Sequence, residues 1–259
     1  MGRVVAVVNQ KGGVGKTTTT INLAACLGEL GKRVLVVDSD PQSNATTGLG
    51  IDKRALEATL YEVLLDQAGA DEARVKTSAP GVDILPATVE LTGADLELVD
   101  APRREFRLRD ALRTVRDQYD LVLIDCPPSL GLLTLNALVA ADGVLIPIQC
   151  EFYALEGYSQ LLKTVLRVRG SFNQALAIEG VLLTMYDGRT ANSAQVADEV
   201  RRYFANLVFD TVISRNVRLA EAPSHGQAIS AYDSNSRGAQ NYRQLAEEVV
   251  RRAGEERVG

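Results

Sequence analysis

The stretch Gln10-Lys11-Gly12-Gly13-Val14-Gly15-Lys16-Thr17-Thr18 carries the residue types that bind a polyphosphate. Glycines let the backbone turn tightly and aim successive N–H groups inward onto phosphate oxygens. Lys16 can reach the β- and γ-phosphates, and the Thr17 hydroxyl can coordinate Mg²⁺. The loop departs from the common G-x-x-x-x-G-K-[ST] pattern. Gln10 stands where the first glycine would be, and a second lysine, Lys11, precedes the glycines. A glycine-rich turn with solvated lysines is the competing reading, and the flanking segments decide against it. The apolar run Val4-Val5-Ala6-Val7-Val8 precedes the loop and the helical pattern Ile21-Asn22-Leu23-Ala24-Ala25 follows it. Strand, loop and helix therefore come in the required order, and a helix starting near Lys16 adds the positive end of its dipole.

Two further apolar runs end in acid. The first runs into Asp38-Ser39-Asp40-Pro41-Gln42, the second into Asp125-Cys126-Pro127-Pro128. A strand ending in Asp is the Walker B arrangement, whose carboxylate holds Mg²⁺ directly or through water. Alone it is an ordinary strand-end turn. About a hundred residues after a phosphate loop it is a specific signal. Alternation in an extended segment puts Asp38 and Asp40 on one side. One can help hold Mg²⁺ while the other orients or deprotonates an attacking water. Asp40, farther out beside Pro41, is assigned the water; the competing reading makes it a turn cap. Asp38 and Asp125 join Thr17 as the expected metal ligands.

Positioning these groups calls for strands alternating with helices. The pattern predicts an α/β fold, a single-domain P-loop NTPase arrangement over residues 1–259. Its sheet is mostly parallel and twisted, with helices on both faces. Predicted strands cover residues 33–38, 82–86, 121–124, 143–147, 178–185 and 209–213. Predicted helices cover residues 59–66, 101–117, 132–141, 155–169, 191–204 and 239–253. The 101–117 segment reads as one basic amphipathic helix, from Phe106, Leu108, Ala111, Leu112 and Val115. Residues 42–53 and 216–237 are the longest irregular segments, where function often sits. Ligands of such sheets lie at the carboxyl ends of the strands, where the glycine loop, Asp38/Asp40 and Asp125 all fall.

The chain has 259 residues and a hydrophobic fraction of 46%, enough for a substantial core. It contains no run of about 18 apolar residues, so no membrane-spanning helix is expected. The first strand begins by Val4, so the reading expects no signal peptide. Cys26, Cys126 and Cys150 lack metal or redox spacing and read as buried free thiols of a reducing cytoplasm. The net charge of −5 opposes nucleic-acid binding on average. Residues 187–259, however, hold ten arginines, no lysine and ten acids, so a local basic patch is compatible with the sequence. His225, the only histidine, lies in a turn-like stretch and is given no catalytic role.

With these motifs in hand, the sequence resembles the ParA/Soj family of chromosome- and plasmid-partitioning ATPases, in the deviant-Walker-A group that includes MinD. Lys11-Gly12-Gly13-Val14-Gly15-Lys16-Thr17-Thr18, Asp38-Ser39-Asp40-Pro41-Gln42 and Asp125-Cys126-Pro127-Pro128-Ser129 mark the ATPase group. The segments 151–157, 184–190 and 215–224 are specific to Soj-like members. The resemblance implies an ATP-bound homodimer with two nucleotides at its interface, and Lys11 reaching the partner's phosphates. It implies that Asp40 activates the hydrolytic water and that Ser214 and Asn216 lie against adenine. Arg189 and Arg218 match arginines that bind double-stranded DNA without sequence preference. Read from the residues alone, Arg189 pairs with Asp187 at a helix entry and Arg218 is a solvated loop charge. Hydrolysis stimulated by a ParB-type partner, a cytoplasmic, nucleoid-associated location and no membrane binding follow from the same likeness. The chain departs from the family at Ser214, where proline is usual, and the loop loses that residue's stiffness. Beginning directly at the first strand, it is expected to lack an N-terminal helix-turn-helix extension. A MinD-like membrane ATPase and a metabolic enzyme on the same fold are the alternatives. The tail from Gln244 to Ala253 is too poor in large apolar residues for a membrane anchor and reads as a closing helix on the sheet.

Overall fold

The computed structural model describes residues 2–151 and 158–255. Its eight strands are β1 (Arg3–Val7), β2 (Val34–Asp38), β3 (Val75–Lys76), β4 (Val82–Leu85), β5 (Leu121–Asp125), β6 (Gly143–Gln149), β7 (Ala177–Tyr186) and β8 (Val208–Ser214). The helices are α1 (Lys16–Glu29), α2 (Asn44–Gly48), α3 (Leu60–Leu64), α4 (Ala70–Ala73), α5 (Ala94–Glu97), α6 (Arg107–Leu112), α7 (Leu132–Ala140), α8 (Tyr158–Ser171), α9 (Ala191–Phe204), α10 (Arg218–Glu221), α11 (Ile229–Tyr232) and α12 (Arg237–Glu255).

All strands join one sheet in the order β3-β4-β2-β5-β1-β6-β7-β8. Only the short β3 runs antiparallel to its neighbour. Burial on both faces explains why the central strands read as unbroken apolar runs. Alternation divides β1 between two cores: Val4 and Ala6 face one, Val5 and Val7 the other. The first core packs under α3, α6, α7, α8 and α9. The second packs under α1, α2, α11 and α12. Burial at roughly 25 cal/mol per Å² of apolar surface makes these two layers the dominant favourable contribution to the fold.

The expected strands are present in order; β3, α4 and α5 were not expected, and one predicted helix is corrected. Residues 101–117 do not form a single helix. Arg103 takes a left-handed backbone (φ 55°), a 3₁₀ turn covers Arg104–Phe106, α6 follows, and a second 3₁₀ turn covers Arg116–Gln118. A long-range contact overrides local propensity here. Asn136 on α7 accepts from the Leu108 N–H at 3.1 Å and donates to the Arg104 carbonyl at 2.9 Å, pinning the start of α6. The apolar spacing still holds, since Leu108, Leu112 and Val115 are buried. The two segments expected to be irregular also hold short helices: α2 lies within 42–53, and α10 and α11 lie within 216–237. The closing helix α12 buries Tyr242, Leu245 and Ala246, as its pattern required. The expected helix start at residue 155 lies outside the described residues, as does most of the 151–157 motif; α8 is described from Tyr158. Cys26, Cys126 and Cys150 are free thiols and buried. His225 stacks on Tyr232, ring centroids 4.9 Å apart.

Candidate phosphate-binding site

Parallel strands end on the same edge, so the loops after β1, β2 and β5 meet there. Val7 pairs with Asp125, and Asp125 pairs with Asp38, in the ladder across β1, β5 and β2. The loop after β1 turns through two glycines at positive φ, Gly13 (74°) and Gly15 (91°). A side chain would be strained at either position. Gly15 caps α1, whose first ladder bond runs from the Thr19 N–H to the Gly15 carbonyl at 2.9 Å. Thr18 lies in the first turn of α1, where its carbonyl accepts from Asn22 Nδ2 at 2.7 Å.

Lys16 is the buried cation of this edge. Its Nζ donates to the Lys11 carbonyl at 3.4 Å, so it lies across the loop. Burial lowers its pKa, and the Asp125 and Asp40 carboxylates act against that shift. Asp125 is fully buried, and Thr20 Oγ1 donates to its Oδ1 at 3.3 Å. Burial, and then the nearby Asp38 carboxylate, push Asp125 up to about 8; the neighbouring Thr17 hydroxyl works the other way. Burial likewise raises Asp38, to about 6. Crowding of Asp38, Asp40 and Asp125 beside a single buried lysine makes the ionised carboxylates costly, a cost that a divalent cation would relieve.

Asp38 and Asp40 are set apart by their partners. Asp38 Oδ2 accepts from both the Thr46 N–H (2.8 Å) and the Thr46 hydroxyl (2.6 Å), and Oδ1 accepts from the Asp40 N–H at 3.3 Å. Oδ2 thus ties α2 to β2, while Oδ1 holds the turn that carries Asp40. Asp40 Oδ1 accepts from the Gln42 N–H at 2.9 Å. Its other oxygen has no hydrogen-bond partner among the described residues, which suits a base. Asp125 Oδ2 is buried without a hydrogen-bond partner, as is Ser39 Oγ. An orphaned carboxylate oxygen beside Thr17 is what a Mg²⁺ ligand would look like before the ion arrives. Among the described residues no three His, Cys, Asp or Glu side chains are spaced to cage a metal. That donor set fits an ion completed by phosphate and water rather than by protein alone.

The remaining expected residues take these places. Lys11 is exposed, its N–H donates to Asn9 Oδ1 at 3.0 Å, and its ammonium has no partner among the described residues. Ser214 ends β8 opposite Tyr186, with its N–H on Asn241 Oδ1 at 3.1 Å. Asn216 Oδ1 accepts the Arg218 N–H at 2.9 Å. Arg189 clasps Asp187 through two bonds, at 2.9 and 2.7 Å, and holds that carboxyl well below the usual range. Arg218 pairs with Glu221 at 2.8 Å and faces Asp233 at 3.6 Å. The supporting residues Asn9, Thr20 and Thr46 lie outside the motifs, and Thr184 opens the 184–190 motif without a role assigned to it. Of these, only Thr20 had a local signal, one helical turn after Lys16 on the same face.

A glycine loop leading into a helix, with a buried strand-end aspartate beside it, defines a phosphate-loop nucleotide-binding α/β protein. The AAA domain family matches residues 2–178. The sporulation initiation inhibitor protein Soj of Bacillus subtilis is 57% identical over 250 residues, 96% of this chain and 99% of its own. The chromosome partitioning protein ParA of Caulobacter vibrioides is 54% identical over 252 residues, 96% of this chain and 94% of its own. Among solved structures, cobyrinic acid a,c-diamide synthase from Mycobacterium smegmatis with bound ADP and magnesium matches with a TM-score of 0.85. It is 41% identical and covers 97% of this chain and 95% of that one. The chain belongs to the Soj/ParA family of chromosome-partitioning P-loop ATPases.

Proposed function

We propose that this protein is a DNA-partitioning ATPase. It binds ATP, closes as a homodimer, holds double-stranded DNA without sequence preference, and lets go when a ParB-type partner stimulates hydrolysis. The observation that carries the chemistry is the meeting of Lys16, Thr17, Asp40 and Asp125 at one sheet edge. Loop N–H groups and Lys16 bind the phosphates, while Thr17 and Asp125 would hold Mg²⁺, which when bound offsets charge on the phosphate oxygens. With both Asp38 oxygens already engaged in the protein, Asp38 supports the Asp40 loop and reaches the ion only through water. Asp40 orients the attacking water and accepts its proton. Ser214 and Asn216 flank the base. A nucleoid-associated location follows from the DNA reading. The MinD-like alternative is disfavoured because α12 spends its apolar face on the second core.

The test is ATP turnover with DNA and a ParB-type N-terminal peptide added separately and together. Stimulation greatest with both supports the reading. Turnover indifferent to either, but dependent on a small carboxylic acid and an amine donor, would point to a synthase instead.

Lys11 gives a narrower prediction. Its exposed, unpaired ammonium is free to cross to a partner. Lys11→Ala should leave ATP affinity within a few-fold of the unmodified protein while chromatography with ATP shows monomer. A stable ATP dimer in this variant would remove the lysine from the interface.

The arginines give another. Each neutralised phosphate contributes about 0.9 to the slope of log affinity against log salt. Arg189→Ala or Arg218→Ala should lower affinity equally for two unrelated duplexes and flatten that slope, with ATP binding retained. Asp187 and Glu221 hold these guanidiniums, so phosphate must displace a carboxylate at each. Unchanged affinity and slope would make both pairs simple surface ion pairs.

A further inference from the structure

We propose that Thr184 is a positioning residue of the phosphate loop, fixing the direction of the Gly15 N–H. The proposal rests on the loop being a nucleotide site. Thr184 lies near the end of β7 and is 2% exposed. Its hydroxyl donates to the Val14 carbonyl at 2.8 Å, across 170 residues of sequence. The α1 ladder starts at the Gly15 carbonyl and leaves the Val14 carbonyl to Thr184. A trans peptide is planar, with its C=O and N–H on opposite sides. Holding the Val14 carbonyl toward β7 therefore turns the Gly15 N–H the other way, toward the hollow of the loop. The peptide needs such a restraint. Val14 sits between Gly13 and Gly15, both at positive φ, and glycine offers little resistance to a peptide flip. The restraint itself is rigid. Thr184 pairs with Gln149 in the ladder, its carbonyl accepts the Cys150 N–H at 3.0 Å, and its β-branch limits χ1. Thr184 thus settles before ligand arrives what the loop's glycines leave open, and binding need not supply that ordering.

Thr184→Val removes the hydroxyl and keeps the branched shape; Thr184→Ser keeps the hydroxyl. Leaving a buried carbonyl unpaired and its loop free to turn should weaken ATP and ADP binding about tenfold in the Val variant. KM for ATP should rise by a similar factor with kcat little changed, the pattern of lost uniform binding. The Ser variant should return within about twofold of the unmodified protein, a rescue expected if the hydroxyl supplies the restraint. Unchanged nucleotide affinity in the Val variant would overturn the proposal, as would a Ser variant impaired as badly as the Val one. If Val does not fold, Thr184→Ala reads the same hydroxyl. Lys16→Ala in the same titration separates the two premises: should it bind ATP normally, the loop reading has failed and not the role of Thr184.

Discussion

Lys16→Ala is expected to lower ATP affinity on the order of 100-fold, from the loss of one or two charge-assisted bonds to phosphate. The side chain is buried, its Nζ already spans the loop to the Lys11 carbonyl, and burial lowers its pKa. Its ammonium is therefore desolvated before nucleotide arrives, so phosphate meets a charge whose hydration has already been given up. Alanine removes that charge and leaves Asp40 and Asp125 facing the phosphates without an organic cation between them. The sign of this second effect is also unfavourable, because like charges repel. Fluorescent-nucleotide titration at fixed Mg²⁺ measures the change, and circular dichroism checks that the sheet is intact. An affinity within a few-fold of the unmodified protein would remove Lys16 from the phosphate site and, with it, the reading of this loop as the nucleotide site.

Much of this edge was legible in the sequence because each of its parts is local. A glycine loop needs only its own spacing and the strand and helix beside it, and Asp38 and Asp125 announce themselves as the last residues of apolar runs. Parallel strands then force those ends together, so a linear pattern becomes a site with no further information. The buried strands were legible for a related reason: a strand covered on both faces has no polar alternation to obscure it.

What stayed hidden depends on contacts distant in sequence. Nothing near Arg104 signals that Asn136 will bond its carbonyl, so a segment with sound helical spacing is broken where α7 grips it. Thr46 and Thr184 look like ordinary strand or turn residues until the fold brings them to Asp38 and Val14. Position beside Pro41 favours Asp40 over Asp38 for the water, but the hydrogen bonds that distinguish the two carboxylates were closed to spacing. It is the Thr46 hydroxyl and N–H, eight residues on, that occupy Asp38 and leave Asp40 with an oxygen to spare. Asp187 and Arg189 are the converse case, neighbours whose ion pair could be read directly from the sequence.

Asp40→Ala should separate nucleotide binding from hydrolysis. A carboxylate that orients water and takes its proton typically contributes about 10²–10⁴-fold to the rate, and turnover should fall by that much. ATP should still bind, because Lys16, Thr17, Asp125 and the loop amides are untouched. The protein should then collect in its ATP-bound form and remain on DNA after chase, since release follows hydrolysis in the proposed cycle. The variant has one structural side effect. Asp40 Oδ1 accepts the Gln42 N–H, so alanine also loosens the turn leading to α2. Asp40→Asn answers this, because its carbonyl oxygen can keep that bond while the amide cannot take a proton. Loss of turnover in both variants, with phosphate release and nucleotide affinity measured on the same samples, assigns the base to Asp40. Loss in Ala alone would make Asp40 a turn cap. Near-normal turnover in both would leave water activation to another group, and Asp38, with both oxygens engaged by Thr46 and the Asp40 N–H, could serve only after α2 moved away.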